Sequence, residues 1–158
     1  MQPEGIERVA TVAELDALED KISAWLDEQL DENPVLVAVD RGDPSLRRWH
    51  VRLAGEEKDF TTVWLTLDQR TLSYETFVMP APEENLGQFY EHLLRRNKKL
   101  NGMAFAIGEE DAIFLRGQLP VEAVQREQLD RIIGSFYAYV EQFFRPALRI
   151  GFASRFNP

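Results

Sequence analysis

Trp49-His50-Val51-Arg52-Leu53, Thr62-Val63-Trp64-Leu65-Thr66-Leu67 and Leu72-Ser73-Tyr74-Glu75-Thr76-Phe77-Val78-Met79 are the stretches whose reading decides the fold. In the first, Trp49, Val51 and Leu53 alternate with His50 and Arg52; in the second, Val63, Leu65 and Leu67 alternate with Thr62, Trp64 and Thr66. A period of two sends successive side chains to opposite faces of a pleated strand, so these are predicted strands with one face wet. The third stretch continues the pattern with the strand-favouring aromatics Tyr74 and Phe77. Its connections, Gly55-Glu56-Glu57-Lys58-Asp59 and Asp68-Gln69-Arg70, are too short for a crossover helix, which makes an antiparallel meander.

Toward the N-terminus, residues 35–39 form a valine-rich run followed by the turn formers Asp40-Arg41-Gly42-Asp43-Pro44, a further strand and loop. Before it, Thr11-Val12-Ala13-Glu14 has the spacing of a capping box, and Leu15, Leu18, Ile22, Trp25 and Leu26 share one helical face until Asn33-Pro34. The other side of this helix is acidic, a solvated face or a surface that attracts basic partners.

Toward the C-terminus, Pro80-Ala81-Pro82-Glu83-Glu84 prepares a second helix, with its carboxylates expected near the positive end of the helix dipole. Leu86, Phe89, Tyr90, Leu93 and Leu94 form its buried stripe, and Asn101-Gly102 stops it. Met103, Phe105 and Ile107, a turn at Gly108-Glu109-Glu110-Asp111, then Ile113 and Leu115 predict a hairpin closed by Pro120. A last helix carries Leu129, Ile132, Ile133, Phe136, Val140 and Phe143 on one face and is predicted to end at Arg145-Pro146. The fold class is α+β, an antiparallel sheet packed with helices in the order α-β-β-β-β-α-β-β-α. One domain is expected over residues 1–158, with tails at 1–10 and 147–158.

Composition bounds the function. A hydrophobic fraction of 44% against 28% charged residues is that of a folding globular chain. The formal net charge of -9 repels a phosphate backbone, so nucleic acid is not an expected partner. No apolar run reaches membrane-spanning length, and Met1-Gln2-Pro3-Glu4-Gly5 lacks the basic and apolar regions of a secretion signal; a cytoplasmic protein with no membrane partner is expected. Without cysteine there is no disulfide, thiolate metal site or thiol nucleophile.

Phosphate-binding loops, dinucleotide fingerprints, nucleophile elbows and paired-histidine metal helices are all missing from the sequence. No catalytic residue, cofactor-binding residue or metal ligand is assigned, and no cofactor is expected. His92, among Glu91, Arg95 and Arg96, reads as a solvated helical histidine. Glu56-Glu57 with Asp59, and Glu109-Glu110-Asp111, lack the spacing of a calcium loop and read as solvated turns. Arg95, Arg96, Lys98 and Lys99 form a basic island that complements the helix end or holds an acidic group. Tyr137, Tyr139 and Phe144 give the last helix more aromatic surface than a solvated face needs. The candidate binding surface is Met79, Pro80, Pro82, Arg95, Arg96, Tyr137, Tyr139 and Phe144.

The string Phe77-Val78-Met79-Pro80-Ala81-Pro82-Glu83-Glu84-Asn85, then Leu93-Leu94-Arg95-Arg96-Asn97, and Gly102-Met103-Ala104-Phe105-Ala106-Ile107 together resemble the YbjN-like family, labelled bacterial sensory transduction regulators. The likeness continues through Leu129-Asp130-Arg131 to Leu148-Arg149-Ile150-Gly151-Phe152-Ala153-Ser154, covers about residues 47–154, and looks like the actinobacterial branch. It implies a fold similar to class I type III secretion chaperones, which bind effector segments and commonly dimerise; it implies no catalytic residue. The expected function is a non-catalytic chaperone-like or regulatory module that binds a protein or peptide and self-associates, a homodimer through the sheet or the last helix. The alternatives are a small-molecule-sensing regulator with a pocket between sheet and long helix, and a cryptic hydrolase or metal enzyme.

Overall fold

A computed structural model describes residues 9–156. The chain runs α1 (Val12–Glu32), β1 (Leu36–Asp40), β2 (Arg48–Ala54), β3 (Phe60–Leu67), β4 (Thr71–Met79), α2 (Leu86–Asn97), β5 (Ala104–Ile107), β6 (Ile113–Pro120) and α3 (Arg126–Gly151). Short 3₁₀ turns precede β6, precede α3 and follow α3. This is the α+β order expected from the sequence. The strands form one six-stranded sheet, β1-β2-β3-β4-β6-β5, with every pairing antiparallel.

The meander registers as the alternation requires. Trp49 pairs with Leu65 and Val51 with Val63, while Leu65 pairs with Tyr74, so apolar side chains meet apolar side chains across strands. These residues lie beneath the helices. The Trp49 indole N–H donates to the Ser23 hydroxyl of α1 at 3.0 Å, and the Tyr74 ring meets the edge of Phe136 of α3 at 5.8 Å between centroids. Val63, Leu65, Tyr74 and Phe136 are buried between the sheet and α3. The Tyr74 hydroxyl is satisfied by donating to the Gly102 carbonyl at 2.6 Å. Gly117 pairs with Tyr74 across the sheet because a Cβ there would fall 2.6 Å from the ring and 2.2 Å from the Gly102 oxygen.

The Thr11 capping box is formed: its hydroxyl accepts from the Glu14 N–H at 3.1 Å, and the Glu14 carboxylate accepts from the Thr11 N–H at 3.3 Å. The N-terminal tail expected at 1–10 lies outside the described residues except for its last two positions, and the buried Ala10 donates its N–H to the Gln69 carbonyl at 2.8 Å.

Two boundary expectations are corrected. The last helix passes through Pro146 and ends at Gly151, so residues 147–151 belong to it and not to a tail. A helical proline costs about 3 kcal/mol, but Ala147 and Gly151 are buried, and a Cβ at Gly151 would lie 2.9 Å from Phe89 of α2. Packing against the second helix outweighs the local preference. The Glu83 and Glu84 carboxylates do not serve the start of α2. Glu84 accepts from the backbone N–H and hydroxyl of Ser154, Glu83 pairs with Arg155, and the Glu83 and Glu84 N–H groups donate to the Gly151 carbonyl at 2.9 and 3.1 Å. The whole segment is turned toward the end of α3 because Asn85 adopts a left-handed conformation and donates its amide to the Ile150 carbonyl at 2.9 Å.

Phe136→Ala is expected to lower unfolding free energy in urea by about 3–5 kcal/mol, whereas Phe60→Ala on the other side of the sheet is expected to change it by no more than about 0.5 kcal/mol.

Candidate functional site

The helices cover one face of the sheet, and the other carries Arg48, His50, Arg52, Phe60, Trp64, Glu75, Phe77, Phe114 and Arg116. Cross-strand register assembles them. His50 pairs with Trp64, Trp64 with Glu75 and Glu75 with Arg116, while Phe77 pairs with Phe114 on the next row. His50 stacks on Trp64 at 5.3 Å, and Phe77 and Phe114 meet edge to face at 5.9 Å. Phe60, Trp64 and Phe77 remain 47%, 44% and 45% exposed, and with Phe114, Thr62, Thr76, Lys58 and Glu75 they line an open cleft of about 500 Å³.

The cations divide by face. Arg47 pairs with Asp16 at 2.8 Å and Glu19 at 2.7 Å, and Arg41 pairs with Glu19 at 2.8 Å, tying the β1–β2 connection to α1. These guanidinium groups hold the Glu19 carboxyl below its ordinary range even though partial burial opposes them. On the open face Arg52 lies 3.8 Å above the Phe60 ring, Arg48 lies 5.6 Å from Trp64, and Lys58 lies 5.4 Å from Phe77. No carboxylate within ion-pair distance accompanies Arg48, Arg52 or Lys58 among the described residues. Arg116 has only a long contact, 3.9 Å to Glu75.

Lys58 is placed by the β2–β3 turn, which is docked and not merely solvated, correcting the reading of its acidic residues. The Glu141 carboxylate of α3 accepts from the N–H groups of Glu56 at 3.0 Å and Glu57 at 2.7 Å, and Arg145 pairs with the Glu57 carboxylate. A Cβ on Gly55 would sit 1.7 Å from a Glu141 oxygen and 2.5 Å from the Lys58 carbonyl, so the turn closes only around glycine. Lys58 Nζ then donates to the Phe77 carbonyl at 3.0 Å, between the Phe77 and Phe144 rings, and burial lowers its pKa below the ordinary lysine value.

Strand β5 forms one edge of the sheet, and there the Asn97 side chain donates to the Phe105 carbonyl at 3.2 Å and accepts from the Phe105 N–H at 2.7 Å. This amide takes the place of a neighbouring strand at that residue.

The eight residues of the expected binding surface are not brought together. Met79 is in the core, because a register shift between Phe77 and Met79 turns both Val78 and Met79 inward, and Pro82 is buried against Gly151. Pro80 is exposed. Arg95 pairs with Glu91 at 3.0 Å on an exposed helical turn, and Arg96 is half-buried beside His92. Tyr137, Tyr139 and Phe144 are half-buried because the chain itself covers that side of α3. The Tyr139 oxygen accepts from the Asn101 N–H at 3.1 Å, and Phe144 lies beneath Lys58.

His92 is likewise not a solvated residue. It is half-buried, its Nε2 has no hydrogen-bond partner among the described residues, and burial together with the Arg96 charge lowers its pKa. The Glu109-Glu110-Asp111 turn is exposed, and no group of three or more His, Asp or Glu side chains among the described residues is arranged to hold a metal ion. Sequence reasoning missed the group formed by Lys58, Phe60, Trp64, Phe77 and Phe114. Its legible signal was Trp64 alternating with Val63 and Leu65, a large aromatic on the wet side of a strand.

Known proteins bear on this arrangement. The YbjN family, described as "Putative bacterial sensory transduction regulator", matches residues 19–149. An uncharacterized protein of Mycobacterium tuberculosis strain H37Rv is 35% identical over 104 residues, 66% of this chain and 57% of that protein. One of Mycobacterium leprae is 31% identical over 109 residues, 69% of this chain and 59% of that protein. The match thus spans somewhat more than half the length of these relatives. Among solved structures, the Yersinia pestis type III secretion chaperone SycH, in complex with a stable fragment of YscM2, is similar at a TM-score of 0.49 and 20% identity over 75% of this chain and 95% of that one. No helix among the described residues is long and apolar enough to cross a membrane.

Gly55→Ala is expected to lower the urea midpoint by the equivalent of roughly 1–3 kcal/mol, with the loss read by circular dichroism. His92 predicts a pH dependence of definite sign. Its folded pKa lies below that of the unfolded chain, so the unfolded state takes up the proton first as pH falls through about 6.5, and stability declines until the folded pKa is passed. In urea titrations, His92→Gln is expected to reduce the decline between about pH 7 and 5.5.

Proposed function

The chain belongs to the YbjN family, and on that premise we propose that it is a non-catalytic regulatory or chaperone-like module that docks a segment of another protein on the open face of its sheet. The observation that carries this reading is the convergence of Phe60, Trp64, Phe77 and Phe114 around one open cleft. Aromatic side chains offer large contact area at low cost in conformational entropy, and an open cleft admits an extended segment without displacing the core. The cations around the rings give such a segment polar contacts that the helix-covered side, with its arginines already paired, does not offer.

The test places a photo-crosslinking residue at Thr62, which lines the cleft, or at Asp20, exposed on α1. In cells of the source organism a discrete crosslinked protein band is expected from Thr62 and not from Asp20. Combining the Thr62 probe with Trp64→Ser and Phe77→Ser is expected to abolish the band while leaving the far-ultraviolet spectrum unchanged. Equal crosslinking from both positions, or a band that survives the double substitution, overturns this assignment.

A further inference from the structure

Resting on the reading that the open face docks a protein segment, we propose that the segment is acidic. Lys58 Nζ is the anchor for an Asp or Glu carboxylate, Arg52 is a second contact, and a neighbouring large apolar side chain enters the cleft between Trp64, Phe77 and Phe114. The argument begins with charge. A chain with a formal net charge of -9 has carboxylates to spare, yet among the described residues Arg52 and Lys58 have none within ion-pair distance on the cleft side of the sheet, and Arg48 has only the more distant Asp43. An unpaired cation held on an aromatic ring keeps its capacity for a charge-assisted hydrogen bond.

Lys58 is the most constrained of the three. Its Nζ donates to the Phe77 carbonyl at 3.0 Å, and an ammonium has three donors, so this bond does not exhaust its capacity. It sits half-buried between two aromatic rings at the end of a turn held by Glu141. A partner carboxylate restores the favourable environment that burial removes from the charged amine. The adjacent wall is apolar, so recognition requires acid and bulk side by side. Glu75 lines the same cleft and, with the acidic chain as a whole, repels any anion placed beside Trp64, so the segment's carboxylate is confined to the Lys58 and Arg52 end, one cross-strand row away; a nucleic-acid strand, which also stacks on aromatics, carries a phosphate at every nucleotide and cannot be confined in this way.

The experiment titrates the full chain with short fluorescein-labelled peptides rich in Phe-Asp and Phe-Glu, in Phe-Asn and Phe-Gln, or in Phe-Lys, and with an oligouridylate of similar length, at low and physiological salt. Acidic peptides are expected to bind about tenfold more tightly than neutral ones and to weaken with salt. Lys58→Met and, at an exposed position that does not endanger folding, Arg52→Gln are each expected to remove several-fold of the affinity for acidic peptides only, whereas Lys58→Arg retains it. Equal binding of acidic and neutral peptides overturns the acidic specificity and leaves the docking face standing. Failure of every peptide while the Thr62 crosslink persists has the same consequence. Failure of peptides and crosslink together overturns the docking reading itself, and tighter binding of the oligouridylate overturns a protein partner.

Discussion

Helices on only one face of a six-stranded sheet are the constraint from which the rest of this structure follows. An antiparallel sheet covered on one side must sort each strand by parity, and a one-residue slip carries every apolar side chain into solvent. Trp49, Val51, Val63, Leu65 and Tyr74 obey that rule and disappear beneath α1 and α3. The same rule compels Trp64, Phe60 and Phe77 to face outward, because their neighbours in sequence face inward. The candidate site is thus the complement of the core, made by the same alternation.

The helical layer also shapes the site at its rim. Glu141, on α3, accepts two backbone N–H groups of the β2–β3 turn, and this contact between distant parts of the chain sets where Lys58 stands. Paired carboxylate oxygens on two N–H groups make a strong, directional clamp. Its geometry forbids a side chain at Gly55. Similarly, α3 continues past Pro146 because Gly151 fits against Phe89 and Pro82, and that extra turn draws Glu83 and Glu84 away from α2.

Most of the fold was legible because its signals are local. The Thr11 capping box, the apolar face of α3 and the short connections of the meander each have a cause within a few residues. What was not legible depends on distant partners. Tyr139 and Phe144 read as uncovered aromatics because nothing near them in sequence announces that Asn101 and Lys58 will cover them, and Tyr137 because its packing against the core is a tertiary contact. Met79 read as part of a binding surface, and only the register shift against β6 turns it inward. His92 read as solvated because the burial of its Nε2 comes from packing.

The sequence by itself determined the element order, the parity of β2 and β3, the acidic balance and the absence of familiar catalytic motifs, and its motifs carried the family. These depend on neighbour-to-neighbour chemistry and on composition, which any reader of the chain can evaluate. Tertiary structure alone decided that Phe114, some fifty residues from Trp64 in sequence, stands against Phe77, and that Lys58 lies over the Phe77 ring with no carboxylate within ion-pair distance among the described residues. The reason is physical: strand pairing and the packing of α3 convert sequence separation into contact, and no local pattern encodes the partner that pairing will supply.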